Sequence, residues 1–237
     1  MRRLIQMHAN PDLAEVAALI GDPSRAAMLL SLLGGKTLPA GDLARAARIS
    51  PQTASAHLAK LLQGGLLIQE VCGRHKYFRL ASSEVGQALE ALQTISPAKP
   101  VRSLRQSDQL LALQFARTCY DHLAGKIGVA LADRLLAMGL LEKSGKDYIV
   151  CEAGKAWLQD FGVDTEISPK SRRCFARQCL DWSERRHHLA GSLGAALTNR
   201  LFELRWIERL PDGRAVRVTG AGIKGLSAKF GLHLDPD

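Results

Sequence analysis

Aromatic side chains make up only 5% of the 237 residues, which argues against a stacking platform for single-stranded nucleic acid. No stretch approaches the roughly 20 apolar residues of a membrane span, and Met1-Arg2-Arg3-Leu4-Ile5-Gln6 lacks the apolar core of a signal peptide. A cytoplasmic protein with no membrane contact is expected. The five cysteines, at 72, 119, 151, 174 and 179, are odd in number and scattered, which suits a reducing compartment better than a disulfide framework. A Ser/His/Asp elbow, a Walker loop, an HExxH pair and a paired-carboxylate segment are all missing, so no enzymatic activity is expected. What is present is an ordinary globular composition, 46% hydrophobic and 23% charged, long enough for one large or two small domains. The formal charge is +9 from 32 basic and 23 acidic side chains. Both halves share the excess, so neither is a basic tail, and charge alone does not separate a nucleic-acid footprint from a solvated surface.

The clearest break is Ser96-Pro97-Ala98-Lys99-Pro100, where the prolines forbid helix continuation and favour an extended linker. The boundary is placed there, giving domains 1–96 and 101–237. In the first, Asp12 to Ile20 carries a helical apolar stripe capped by Asn10-Pro11 and stopped by Gly21. Asp22-Pro23 opens a second helix that runs to Leu33, before Gly34-Gly35. A third short helix covers about Ala40 to Ala47. Arg48-Ile49 then turn the chain, Ser50 caps a fourth helix with Pro51 at its first position, and that helix runs to Gln63. The spacing is that of a helix-turn-helix.

In the fourth helix Leu58, Leu61 and Leu62 form the inward stripe, while Gln52, Thr53, Ser55, Ala56, His57 and Lys60 project elsewhere. Short donors and acceptors on such a helix reach base edges or phosphates in a major groove. Base edges are assigned to Gln52, Thr53, Ser55 and His57, and phosphate to Ser50 and Lys60. Two strands, Leu66 to Val71 and Tyr77 to Leu80, flank Cys72-Gly73-Arg74-His75-Lys76. A basic turn can be merely solvated; directly after a helix-turn-helix, Arg74, His75 and Lys76 read as a phosphate-contacting wing.

Gly21-Asp22-Pro23-Ser24-Arg25, Ser50-Pro51-Gln52-Thr53-Ala54-Ser55-Ala56-His57-Leu58 and Gly73-Arg74-His75-Lys76-Tyr77-Phe78 fall in the order and spacing of the ArsR family of bacterial transcriptional regulators, which residues 11–95 resemble. The resemblance implies a homodimeric winged-helix repressor on a palindromic double-stranded operator, released by an effector. Its dimer contact would use the first helix and the helix at Ser83 to Thr94, with Val85, Leu89 and Leu92 as apolar stripe. Two family metal sites are not carried over. Leu38-Pro39-Ala40-Gly41-Asp42-Leu43 has no thiolate, and the stretch from Ser83 to Glu90 has no histidine.

The second half is a duplication. HLAGKIGVALADRLLAMGLLE from His122 aligns with HLAGSLGAALTNRLFELRWIE from His188, 66 residues on. Each copy continues as a hairpin and a short helix, the turns being Ser144-Gly145-Lys146 and Pro211-Asp212-Gly213. The repeats cover about 116–165 and 182–234. Helix, hairpin, helix is also the second half of a winged helix, and Gly139-Leu140-Leu141 answers Gly65-Leu66-Leu67. In that alignment Ile127 to Leu131 take the places of Thr53 to His57, so the polar readers have become apolar. The expected fold is α+β: mainly helical with small hairpin wings, one winged helix-turn-helix followed by two repeated winged-helix-like modules. The longer ArsR-type chains look similar around Ala116 to Gly125.

Candidate effector groups in the second domain are Arg117, Cys119, Tyr120, His122, Cys174, Cys179, Trp182 and His188. Were the repeats related by a pseudo-twofold axis, Cys119, His122, Cys174, Cys179, His187 and His188 could converge on a soft metal, a metalloid or an oxidant-sensing thiol pair. The alternative is a buried, inert Cys119 with His122 and His188 as structural hydrogen bonders. Gly125, Gly128, Gly191 and Gly194 fit close helix packing. Trp157, Trp182 and Trp206 with Tyr120 and Phe175 could line an apolar effector pocket or fill the core. The run Lys170 to Arg177 reads as a solvated basic face or an auxiliary DNA clamp. No cofactor and no metal are assigned. The reading is a DNA-binding repressor whose second domain senses a small-molecule or thiol-reactive effector. The rivals are a thiol- or metal-responsive regulator using Cys119, Cys174 and Cys179, and a protein-binding winged-helix adaptor.

Overall fold

The computed structural model describes residues 12–98, 100–165, 174–211 and 213–234. They form two compact units, the first drawn from residues up to 32 and 36–82, the second from 33–35 and from 83 onward. The expected caps at Asn10-Pro11 and the basic residues 170–173 lie outside the described residues. Among the described residues no helix is long and apolar enough to cross a membrane.

The first unit is a winged helix-turn-helix of α1 (Leu13–Ile20), α2 (Pro23–Ser31), β1 (Leu38–Pro39), α3 (Ala40–Ala47), α4 (Pro51–Gln63), β2 (Leu67–Cys72) and β3 (His75–Leu80). Its helix starts are set by caps. The carboxylates of Asp12 and Asp22 accept from backbone N–H groups in the first turns of α1 and α2, and the Ser50 hydroxyl accepts from Thr53 N–H. Pro23 and Pro51 occupy first-turn positions, where the missing N–H costs nothing. Arg48 takes the left-handed conformation at φ 55°, which ends α3 and redirects the chain into α4. The antiparallel sheet has the order β1-β3-β2, with Leu67 opposite Leu80 and Cys72 opposite His75. Met28, Leu29, Leu43, Ala54, Leu58, Leu61, Phe78 and Leu80 fill the core. In α4 the inward stripe is therefore Ala54, Leu58 and Leu61, with Leu62 only half-buried.

The second unit begins with α5 (Ser83–Ile95), not after the prolines at 97 and 100. The prolines stop the helix, whereas packing decides which unit it joins. The Tyr120 ring lies over Gly86, Arg214 pairs with the buried Glu90 and donates to Gln93 at 3.0 Å, and Arg177 donates to Gln87 at 2.8 Å. Then follow α6 (Leu104–Phe115) and the two repeats. The first comprises β4 (Arg117–Thr118), β5 (Leu123–Ala124), α7 (Gly125–Ala137), β6 (Leu141–Ser144), β7 (Asp147–Val150) and α8 (Glu152–Asp160). The second comprises β8 (Arg177–Leu180), β9 (His187–Ala190), α9 (Gly191–Glu203), β10 (Ile207–Arg209), β11 (Val216–Val218) and α10 (Gly220–Phe230). Each repeat thus opens with a hairpin of its own, so the second starts before residue 182. Gly125 and Gly191, at φ +79° and +83°, make the turn from that hairpin into the long helix, where a side chain would strike the carbonyls of Gln114 and Phe175.

The repeats pair strands with each other. β7 of the first pairs with β8 of the second, Asp147 opposite Arg177, in a sheet of order β6-β7-β8-β9. The reciprocal contact is a bridge between Arg117 and Ala215, beside Val216 N–H donating to Ala116 O at 3.0 Å and Thr118 N–H donating to Arg214 O at 2.9 Å. Tyr148 N–H to Ala176 O and Gln178 N–H to Lys146 O are their counterparts. The helices facing this interface are correspondingly apolar: Ile127, Gly128, Val129 and Leu131 of α7 and Leu193, Leu197 and Leu201 of α9 are buried. The positions that would face a groove in a DNA-reading module are core here.

Candidate functional site

The first unit places Gln52, Thr53, Ser55, Ala56 and Lys60 on the exposed face of α4. Ser50 is engaged at the cap, its hydroxyl 2.9 Å from that of Thr53, and Ser55 donates to Pro51 O at 3.0 Å. His57 departs from the expectation. Its side chain is 17% exposed, with Nδ1 3.3 Å from Arg25 Nη1 and 3.9 Å from Asp22, so it faces the start of α2 and not the reading face. Arg25 also donates to the last carbonyls of α1, from Nε to Leu19 O and from Nη2 to Ala18 O. The Asp22 carboxyl is held below its ordinary range, first by the Arg25 backbone N–H and then by the charges of Arg25 and His57. In the wing only Gly73 and Arg74 form the turn, and Arg74, His75 and Lys76 are all exposed. Exposed cations beside an exposed polar helix face are what phosphate positioning and base reading require.

The second unit brings Cys119, His122, Cys179 and His188 together. Their ligand atoms, one from each residue, all lie within 4.8 Å of one another, and Cys119, His122 and His188 are buried. Register explains the meeting. Cys119 N–H donates to His122 O at 2.8 Å across the β4-β5 turn, and Cys179 pairs with His188 across β8-β9. The two hairpins then face each other, putting His122 Nε2 3.1 Å from His188 Nε2. His122 Nδ1 donates to Asp121 at 3.1 Å, and His188 Nδ1 lies at ion-pair distance, 3.2 Å, from Asp181, too oblique for a full hydrogen bond. Asp181 also accepts from Arg117 at 2.9 Å and from Gly125 N–H at 2.7 Å.

Burial pushes the Cys119 thiol up to about 12. Burial opposes protonation of His122, yet Cys119 and Asp121 beside it outweigh that and raise it to about 9. Burial likewise opposes ionisation of Asp181, and His188, Arg117 and the Gly125 N–H overcome it, holding the carboxyl well below the usual range.

Of the other expected effector residues, Arg117 is buried under the Trp182 ring, its guanidinium carbon 4.4 Å from the ring centroid. Tyr120 packs on Gly86. Cys174 does not join the four; it is exposed and its thiol lies 3.3 Å from Asp147. His187 is exposed on β9. Trp157 and Trp206 join Phe161 and Phe230 in an aromatic core cluster with ring centroids 5.1–5.6 Å apart. Where no metal was assigned, a set of donors suited to one is assembled, and two acids that orient it were missed. Phe115-Ala116-Arg117-Thr118-Cys119-Tyr120-Asp121 and Phe175-Ala176-Arg177-Gln178-Cys179-Leu180-Asp181 repeat 60 residues apart, a signal hidden because six residues, 182–187, intervene before the second histidine.

Residues 20–70 match the helix-turn-helix domain family. Over 213 residues, 90% of this chain and 94% of the relative, the sequence is 48% identical to the "Uncharacterized HTH-type transcriptional regulator YdfF" of Bacillus subtilis (strain 168). The chain belongs to this family of helix-turn-helix transcriptional regulators. Solved structures similar to this regulator include NolR from Sinorhizobium fredii, 28% identical with a TM-score of 0.33 over 36% of this chain and 85% of that one. Another is the homodimeric winged helix-turn-helix domain Mb0332 from Mycobacterium bovis, described as a possible ArsR-family regulator, 23% identical with a TM-score of 0.32 over 40% of this chain and all of that one. The family match and the exposed polar face of α4 lie in the same segment of this regulator, within the first unit.

Proposed function

We propose that this regulator is an ArsR-type dimeric repressor that sits on a palindromic operator in the cytoplasm and is released when its second unit takes up an effector. The observation that carries this reading is the row Gln52, Thr53, Ser55 and Ala56 on the open face of α4, with Lys60 on the same helix and Arg74, His75 and Lys76 exposed on the wing. A helix laid in the major groove offers base edges to the row, and the cations meet phosphates on either side. Ser50 and His57 position this surface, one by capping α4 and the other by joining it to Asp22 and Arg25.

Dimerisation is supported by apolar faces that each unit leaves uncovered. No residue of α1 is buried, and Leu13 is 78% exposed; in the second unit Leu92 and Ile95 of α5 are open. A self-complementary pair of such faces would close a twofold dimer and set two recognition helices about one DNA turn apart.

The test is fluorescence anisotropy of the full chain on palindromic DNA from its own upstream region against random duplex, over a series of salt concentrations. The proposal expects preference for the palindrome by at least about 10³-fold and a steep fall of affinity with salt. Equal, salt-insensitive binding to both duplexes would exclude it in favour of a protein-binding adaptor.

A further inference from the structure

We propose that Cys119, His122, Cys179 and His188 hold one zinc-class divalent ion through two thiolates and two imidazole Nε2 atoms, each repeat supplying one Cys and one His. A tetrahedral zinc ion, about 2.0–2.1 Å from nitrogen and 2.3 Å from sulfur, needs its ligand atoms roughly 3.3–3.8 Å apart. The four donor atoms lie within 4.8 Å of one another, with the two Nε2 atoms 3.1 Å apart, so small rotamer adjustments complete the polyhedron.

The surroundings are those of a metal centre. Each histidine turns Nδ1 to the aspartate of its own repeat, Asp121 or Asp181, which aims Nε2 inward. Asp181 is itself fixed by Arg117 and Gly125 N–H. The two Nε2 atoms face each other at 3.1 Å, a contact that a proton or a cation between them stabilises. A disulfide would use the sulfurs alone and would need an oxidant, leaving the histidine pair without a part. Two thiolates with two imidazoles select zinc-class ions over the hard cations that prefer oxygen. On binding, the thiol protons leave to solvent and the ion takes their place.

Access is provided. A cleft of about 670 Å³ reaches His122 and Cys179, with Glu84, Glu90 and Asp121 on its walls. One wall is α5, which follows strand β3 of the wing after only Ala81 and Ser82. Occupancy is thereby registered next to the segment that leaves the first unit. This consequence rests on the regulator reading proposed above; the metal site does not.

Cobalt(II) titration of the chelator-stripped full chain, followed by zinc displacement, tests the site. Expected are one equivalent per chain, intense visible bands of a tetrahedral ion, a near-ultraviolet thiolate-to-cobalt charge-transfer band, and loss of both when zinc is added. Cys119→Ser and Cys179→Ser should each weaken zinc binding at least about tenfold in chelator competition, while Cys151→Ser and Cys174→Ser leave it unchanged. Wild-type protein with no charge-transfer band overturns the proposal whether or not the variants fold. So does a band that survives the Cys119→Ser/Cys179→Ser double change, or a Cys119–Cys179 disulfide in mass spectra of protein purified under reducing conditions. A normal cobalt spectrum in protein that ignores its palindrome supports the site and counts against the DNA-binding proposal alone.

Discussion

Arg117 and Asp181 form an ion pair at 2.9 Å in which both side chains are fully buried, and the two residues come from different repeats. The guanidinium also donates to Ser183 and to Leu113 O, and the carboxylate receives Gly125 N–H. A pair so enclosed adds little net stability over an apolar substitute, but removing Arg117 leaves the buried Asp181 carboxylate without a full countercharge, held only by the Gly125, Ser183 and Glu184 N–H groups, the Ser183 hydroxyl and the nearby His188. Arg117→Met should therefore cost about 3–5 kcal/mol in urea unfolding of the full chain. A loss below about 1 kcal/mol would mean that Asp181 is satisfied without it.

The duplication predicts a matched pair of effects. Arg134 of the first repeat donates from Nε to Phe230 O at 2.6 Å, at the end of α10, and Arg200 of the second donates to Phe161 O at 2.9 Å, at the end of α8. Each cation caps the negative end of the other repeat's last helix. Arg134→Ala and Arg200→Ala should each destabilise by about 1–2 kcal/mol, and because their acceptors Phe230 and Phe161 pack on each other with ring centroids 5.4 Å apart, the double change should depart from the sum. Thermal unfolding with chemical-denaturant cross-checks measures it. A large effect at one position and none at the other would show that only one crossing contact carries the interface.

Much of the first unit is readable from local chemistry. Ser50-Pro51 marks the start of α4, Asp22-Pro23 that of α2, and Gly73 the wing turn, because capping and turn geometry depend on residues two or three apart. What was not readable is long-range. Pro97 and Pro100 show where a helix must stop, whereas the unit that α5 joins is decided by Glu90 meeting Arg214, residues 124 apart. His57 faced inward for the same reason, since its partners Asp22 and Arg25 stand on another helix. The four-donor centre was half visible. The matched histidines were plain at a spacing of 66, but the Cys-x-Asp segments repeat at 60, so alignment on the histidines alone separated Cys119 from Cys179 and passed over both aspartates.

Gly128 and Gly194 should prove intolerant of alanine despite lying inside helices. A β-carbon at Gly128 would stand 2.5 Å from Leu123 O, and one at Gly194 would stand 2.4 Å from Leu189 O and 3.2 Å from the His122 β-carbon. Alanine is worth roughly 1 kcal/mol over glycine in an open helix. Here contact with backbone carbonyls reverses the sign, and a net loss of about 1–3 kcal/mol is expected for each. Gly41 of α3, with nothing within 4 Å, is the control: Gly41→Ala should be neutral or stabilising in the same unfolding assay. Stabilisation at Gly194 would mean that the hairpin opposite it yields, and with it the placement of His122.

The reading face and the wing should respond differently to substitution. Gln52 and Ser55 sit on α4 where a base edge would lie, so Gln52→Ala or Ser55→Ala should weaken palindrome binding by about 1–3 kcal/mol and leave random duplex almost unaffected. Lys76, exposed on β3 beside the two-residue turn, would meet phosphate in the proposed complex. Lys76→Ala should weaken every duplex alike and reduce the slope of log affinity against log salt by about 1, one released counterion. His57→Ala is the informative third variant. Because His57 contacts Asp22 and Arg25 and not the open face, it should lower unfolding stability along with DNA affinity, whereas Gln52→Ala should spare stability. Sequence-selective loss at His57 with stability intact would return it to the reading face.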